Sequence, residues 1–115
     1  MRKSETRKEL IARYKEREVI GGVYAIKNML RSKLLLQATV DLNGSKNRFE
    51  FAQSTGSCIE TKLQKDWSRQ NGEHFVFEVL ETLKKGETQT AKEFEEDVNT
   101  LLEMWQEKYN EEELY

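Results

Sequence analysis

GGVYAIKNMLRSKLLLQAT, residues 21–39, is the stretch whose reading decides the fold. Two short strands are predicted in it, Gly22–Lys27 and Leu34–Thr39, joined by the polar connection Asn28-Met29-Leu30-Arg31-Ser32-Lys33. Val, Tyr and Ile suit a pleated strand, three consecutive Leu open the second run, and Asn and Ser in the connection favour a turn. The stretch therefore predicts a β-hairpin. A hairpin alone is marginal in water, so the rest of the chain has to cover it.

Downstream, Asp41-Leu42-Asn43-Gly44-Ser45 offers residues that cap a helix start. That helix is expected to run to about Thr55 and stop at Gly56, with Phe49 and Ala52 turned inward. A further helix is expected from Ser57, with Ile59, Leu63 and Trp67 one turn apart and Lys62, Lys65 and Arg69 on its other side. Asn71-Gly72 signals a turn, and His74 to Leu80 alternates over β-prone residues as a third strand. After a polar loop from Lys84 to Gln89, the capping box Thr90-Ala-Lys-Glu93 opens the longest helix. Phe94, Val98, Leu101, Leu102, Trp105 and Tyr109 form its apolar stripe, and Glu111-Glu112-Glu113 is expected to be a frayed, solvated end. Upstream, Ser4 to Glu18 predicts an amphipathic helix with a capping box at Thr6-Arg7-Lys8-Glu9 and a stripe of Leu10, Ile11 and Tyr14. Gly21-Gly22 would end it. The expected architecture is α+β (mixed α/β): an N-terminal helix, residues 1–20, packed on one domain, residues 21–115, built as a small three-stranded antiparallel sheet flanked by helices.

A chain of 115 residues is long enough for one domain with a real core. Cys58 is its single cysteine, so no internal disulfide forms, and a reducing, cytoplasmic setting is expected. The charged start MRKSETRKEL predicts neither signal peptide nor membrane anchor. Net charge is −2, unevenly spread. Residues 1–18 carry seven Lys/Arg against four Asp/Glu, and residues 19–69 eight against four. Residues 70–115 carry four against thirteen. The first two-thirds can present a basic face to an anionic partner, and the remainder would repel one.

Several chemistries are excluded. The glycines are scattered and make no phosphate loop. One His and one Cys cannot build a His/Cys metal cluster. His74, at a strand start, reads as a packed or capping residue, and Cys58 as structural. The aromatic residues fall on helix and strand faces, as core residues do.

One resemblance emerges from the motifs in order: Gly22-Val23-Tyr24-x-Ile26-x-Asn28, Lys33-Leu34-Leu35-Leu36, Asp41-Leu42, Leu63-Gln64-x-x-Trp67 and Gly72-x-x-Phe75-x-Phe77-x-Val79-Leu80-Glu81. Over residues 21–81, with Trp105 extending it, the chain resembles the GIY-YIG nuclease superfamily. The resemblance implies a Tyr on each hairpin strand, an Arg on the following helix and a metal-binding Glu on the last helix. Together these would hydrolyse a phosphodiester: a Tyr as base, the metal on the leaving side, the Arg on the charged phosphorane. Tyr24 matches the first Tyr. The second falls on Leu35, the motif's Gly on Gln37, the Arg on Ser45 and the Glu on Leu102.

None of those replacements supplies the lost group, and losing one such group costs on the order of 100-fold in rate. The resemblance thus implies a disarmed domain, a binding module for nucleic acid or for a protein partner, with no cofactor. The residues expected to contact nucleic acid are Lys33, Lys46, Arg48, Lys62, Lys65 and Arg69. Two neighbours offer a rescue: Arg48, one turn beyond Ser45, and Glu103, beside Leu102. The alternative is therefore an active DNA endonuclease using Tyr24, Arg48 and Glu103 with Mg²⁺ or Mn²⁺. A third reading is a protein-interaction module, docking a basic partner on its acidic last helix or self-associating through exposed apolar residues.

Overall fold

The structure, a computed structural model, describes residues 18–58, 60–70 and 72–115. The helix expected at Ser4 to Glu18 lies outside them, save its last residue, as does Ile59. Three strands, β1 (Ile20–Asn28), β2 (Lys33–Thr39) and β3 (Phe75–Lys84), form one antiparallel sheet in the order β2-β1-β3. Among the described residues the helices are α1 (Leu42–Thr55), α2 (Gln64–Gln70) and α3 (Ala91–Gln106). The fold is α+β with a three-stranded antiparallel sheet, as expected. Among the described residues no helix is long and apolar enough to cross a membrane.

Because β1 is central, its alternating side chains feed two cores. Tyr24 and Ile26 face one side, with Leu35 of β2 and Phe75 and Phe77 of β3. Leu42, Phe49 and Ala52 of α1 and Leu63 and Trp67 from the α2 region cover that side. Val23 and Ala25 face the other, with Leu34 and Leu36 of β2, under Leu101, Leu102 and Trp105 of α3. Trp67 is completely buried, edge-on to Phe49 at 5.9 Å and tilted against Phe75 at 4.9 Å. Burying a ring of this size stabilises the fold by roughly 1.5–3 kcal/mol.

Local chemistry sets the element boundaries. Gly22 holds φ +147°, and a Cβ there would run into the Glu81 carbonyl, so β1 and β3 approach closely only because this residue is glycine. Next to it the β1–β3 register slips between Val23 and Tyr24, leaving Leu80 as the extra residue. Leu80 and Glu81 then both serve the α3 side: Leu80 packs in that core, and Glu81 Oε1 accepts the Trp105 indole N–H at 2.8 Å. Asp41 caps α1 through the Gly44 N–H at 3.0 Å. The Thr90–Glu93 capping box opens α3, with reciprocal hydrogen bonds of 3.1 and 2.9 Å.

Three elements depart from expectation. The helix expected from Ser57 begins only at Gln64, after a 3-10 turn over Thr61–Leu63. Glu60 is extended (φ −126°, ψ 127°), and its carbonyl accepts the Cys58 thiol at 2.9 Å, which uses local hydrogen bonding in a non-helical form. β3 continues past Leu80 to Lys84, because β1 starts early enough to pair Gly22 with Thr82, Gly21 with Leu83 and Ile20 with Lys84.

The third departure is the segment after α3. It is not frayed. Asn110 caps a 3-10 turn over Glu111–Glu113, Leu114 bridges Leu34 at the edge of β2, and the Tyr115 N–H reaches the Leu34 carbonyl at 3.0 Å. Tyr109, beyond the end of α3, still packs in the α3-side core. The Tyr115 hydroxyl crosses to the other core, donating to Asp66 Oδ2 at 2.8 Å and accepting from Asn28 Nδ2 at 2.7 Å. Arg31 closes this network through Nη1 to Asp66 Oδ1 at 2.8 Å.

The network titrates at both ends of the pH scale. The Tyr115 hydrogen bond, with Arg31 assisting, holds the Asp66 carboxyl below the usual carboxylate range. Burial, aided by the Asp66 charge, pushes the Tyr115 phenol up to about 12. Asp66 stabilises the fold at neutral pH and loses that contribution as acid protonates it. Tyr115 contributes fully below its ordinary value near 10 and loses its share between about 10 and 12. Tyr115→Phe is expected to cost about 1–3 kcal/mol at pH 7 in urea unfolding, the gap to wild type narrowing below about pH 4 and above about pH 10. A gap independent of pH would contradict this assignment.

Candidate functional site

A cluster of polar side chains beneath the α1 side of the sheet gathers around Tyr24. Strand alternation turns its ring toward α1, where it stacks on Phe77 at 4.5 Å and is 7% exposed. Ser45, in the first turn of α1, is 3% exposed and lies beside the phenol. Its hydroxyl donates to Thr39 Oγ1 at 2.8 Å and accepts from Arg48 Nη2 at 3.0 Å. Thr39 in turn accepts the Asp41 N–H at 3.0 Å, which ties this chain to the α1 cap. Arg48, one helical turn beyond Ser45, thus brings its guanidinium to the edge of the Tyr24 site while remaining exposed.

Burial pushes the Tyr24 phenol above its ordinary value; the Ser45 contact and the Arg48 charge oppose this, and the Glu60 charge adds to it. Near neutral pH the group is a protonated phenol, not a base. Leu35, opposite Ile26 in the β1–β2 ladder, is 4% exposed and packs in the same core as Tyr24. A closed hydrocarbon contact occupies the place where the resemblance puts a second hydroxyl.

Glu103 does not join Tyr24 and Arg48. Leu102 packs with Val23, Ala25, Leu34 and Leu36, across the sheet from Tyr24, and Glu103 is exposed on the same helix. The expected trio of Tyr24, Arg48 and Glu103 is therefore two neighbours and a residue on the opposite layer. Among the described residues no three His, Cys, Asp or Glu side chains group to hold a metal ion. The apolar Leu35 and Leu102 do not fit the divalent cation the resemblance implies. Burial raises the Cys58 thiol above its ordinary value. The His74 side chain is exposed, not packed as expected; only its backbone is engaged, the carbonyl accepting the Met29 N–H at 2.9 Å.

The expected cationic residues fall on one layer. Lys46 and Arg48 lie on α1, Lys65 and Arg69 on α2, and Lys62 in the turn before it. All five are exposed, and Lys46 pairs weakly with Glu50 at 4.0 Å. Lys33, at the start of β2, sits over the Tyr115 ring at 5.7 Å. From residue 42 to 70 there are five Lys/Arg and three Asp/Glu. The opposite layer, residues 91–113, has two Lys/Arg and nine Asp/Glu. The sheet separates the two signs.

Arg31 is not among the expected contacts, yet its guanidinium is held by the Asp66 carboxylate at 2.8 Å. Its side chain is half exposed while its partner Asp66 is buried. One sequence signal pointed there: Asp66 follows Leu63 by three residues, so it shares the inward stripe and needs a buried partner.

No protein-family model, curated protein or solved structure matches the chain.

The arrangement around Tyr24 is testable by spectrophotometric titration of the four tyrosines. Tyr24→Phe is expected to remove a phenol that ionises above the ordinary value near 10. Loss of one that ionises below it would mark Tyr24 as an activated base and contradict the reading of a neutral, buried phenol.

Proposed function

We propose that the chain is a catalytically disarmed GIY-YIG-like domain that binds nucleic acid in the cytoplasm through the α1/α2 layer. The observation that carries this reading is the segregation of charge: exposed cations on the helices over one sheet face and acids on the helix over the other. An anionic backbone is attracted to the first layer and repelled by the second, so charge alone orients the complex.

The same geometry argues against cutting. Nearby Arg48 supplies charge to the Tyr24 site, but the phenol is neutral, Leu35 fills the second position and the metal position lies across the sheet. Hydrolysis needs an activated water and stabilisation of a charged transition state. Arg48 supplies part of the second. What remains is a surface suited to holding phosphates.

Four or five phosphate contacts predict an affinity drop on the order of 100-fold or more between ~50 and ~200 mM salt. Anisotropy of a labelled duplex and a labelled single strand is expected to show it. Replacing Lys62, Lys65 and Arg69 together by Glu should abolish binding, and Glu95→Gln with Glu96→Gln should leave it nearly unchanged. The absence of association at ~50 mM salt would remove the nucleic-acid reading. Plasmid incubated with the protein and Mg²⁺ or Mn²⁺ is expected to stay intact; nicking abolished by Tyr24→Phe would replace this reading with that of an active endonuclease.

A further inference from the structure

The connection between β1 and β2 presents two adjacent large apolar side chains, Met29 at 62% and Leu30 at 61% exposure. Single exposed apolar residues are ordinary on any protein surface. This pair differs in what lies beneath and beside it. The backbone is pinned: the Met29 N–H reaches the His74 carbonyl, and Asn28 Oδ1 accepts the N–H groups of Leu30 and Arg31 at 3.1 and 3.4 Å. Asn28 is 1% exposed and its amide also holds the Tyr115 hydroxyl. Ser32 takes positive φ, 55°, to complete the reversal. One buried side chain thus fixes both the turn and the clasp below it.

Arg31 follows directly. Asp66 receives Arg31 on one oxygen and Tyr115 on the other. The carboxylate orients the guanidinium from below, and the half-exposed remainder of its planar fork offers donors to a ligand. A cation held this way loses little conformational freedom on taking up a phosphate. Lys33, two residues on, opens β2.

From these features we infer that the hairpin tip is a second nucleic-acid contact: Met29 and Leu30 wedge against an unpaired or unstacked base while Arg31 takes an adjacent phosphate. The inference rests on the nucleic-acid reading above and adds the ligand's class, a strand with a disrupted base stack. Two side chains match the single step that an apolar wedge opens, with cations beside it. They are far fewer than the apolar face by which an amphipathic helix settles on a lipid surface. Position fits as well. Tyr24 and Asn28 lie four residues apart on β1 and point to the same face, about 13 Å along the strand. That is about four base-pair steps of duplex. Arg48 beside Tyr24 and Arg31 beside Asn28 can therefore engage one continuous backbone.

The full chain is titrated with two labelled duplexes, one fully paired and one with a single-base bulge, each carrying 2-aminopurine at the relevant step. Anisotropy reads affinity and 2-aminopurine emission reads unstacking. Wild type is expected to bind the bulged duplex about tenfold tighter and to raise emission, because the bulge lowers the unstacking cost. Met29→Ser with Leu30→Ser changes only exposed side chains. It should keep its thermal transition, bind paired duplex within about twofold of wild type, and lose both the emission rise and the bulge preference. Arg31→Gln should weaken binding to both duplexes and reduce the salt slope by about one.

A double variant that retains the emission rise and the preference would overturn the tip assignment while leaving the α1/α2 surface standing. Wild type that binds neither duplex at low salt would overturn the nucleic-acid reading and this inference with it. Wild type that floats with phosphatidylserine vesicles, and loses that flotation in the double variant, would assign the tip to a lipid surface instead.

Discussion

The alternation of side chains along β1 is the constraint on which the rest of the molecule depends. A central strand covered on both faces sends Tyr24, Ile26 and Asn28 to one core and Val23 and Ala25 to the other. A slip of one residue would exchange the two sets completely. Gly22, which only glycine can occupy beside the Glu81 carbonyl, helps fix that register, as does the bulge next to it. Once the register is set, α1 and α2 must cover the aromatic face and α3 the aliphatic one. The charges follow their helices, so the electrostatic polarity of the domain is a by-product of hydrophobic sorting.

That sorting explains why Tyr24 has polar neighbours and no partners for cutting chemistry. Its face is where α1 places Ser45 and Arg48, and where Leu35 must be apolar to complete the core with Ile26. A carboxylate at position 102 would sit partly buried beside Val23, Ala25, Leu34 and Leu36, across the sheet from Arg48. The same packing that stabilises the domain thus sets Arg48 beside Tyr24 and position 102 on the opposite face of the sheet.

What the sequence made legible was local. The Gly22–Thr39 hairpin, the Asp41 cap and the Thr90–Glu93 capping box each depend on residues a few positions apart, and each is present. What escaped depends on distant partners. Arg31 and Asp66 are 35 residues apart, Asp66 and Tyr115 are 49, and Asn28 and Tyr115 are 87. No periodicity encodes such separations. The run Glu111–Glu113 read as a solvated tail because its charges outweigh two flanking apolar residues on any local scale. Leu114 and Tyr115 nevertheless anchor it through the edge of β2. The start of α2 departs from expectation for a related reason: the stripe of Ile59, Leu63 and Trp67 is helical in spacing, but the Cys58–Glu60 hydrogen bond and the extended Glu60 delay the helix. At the candidate site, the resemblance points to Tyr24, and spacing on α1 places Arg48 one turn beyond Ser45. The separation of Glu103 from them required knowing which face α3 covers.

Amide chemical shifts followed during titration with a short duplex test most directly whether this sorting dictates how the domain meets the nucleic acid proposed for it. Perturbations confined to the connection between β1 and β2, to α1 and to α2, with α3 silent, are the result the account predicts. Perturbations centred on α3, or spread evenly over both layers, would contradict it.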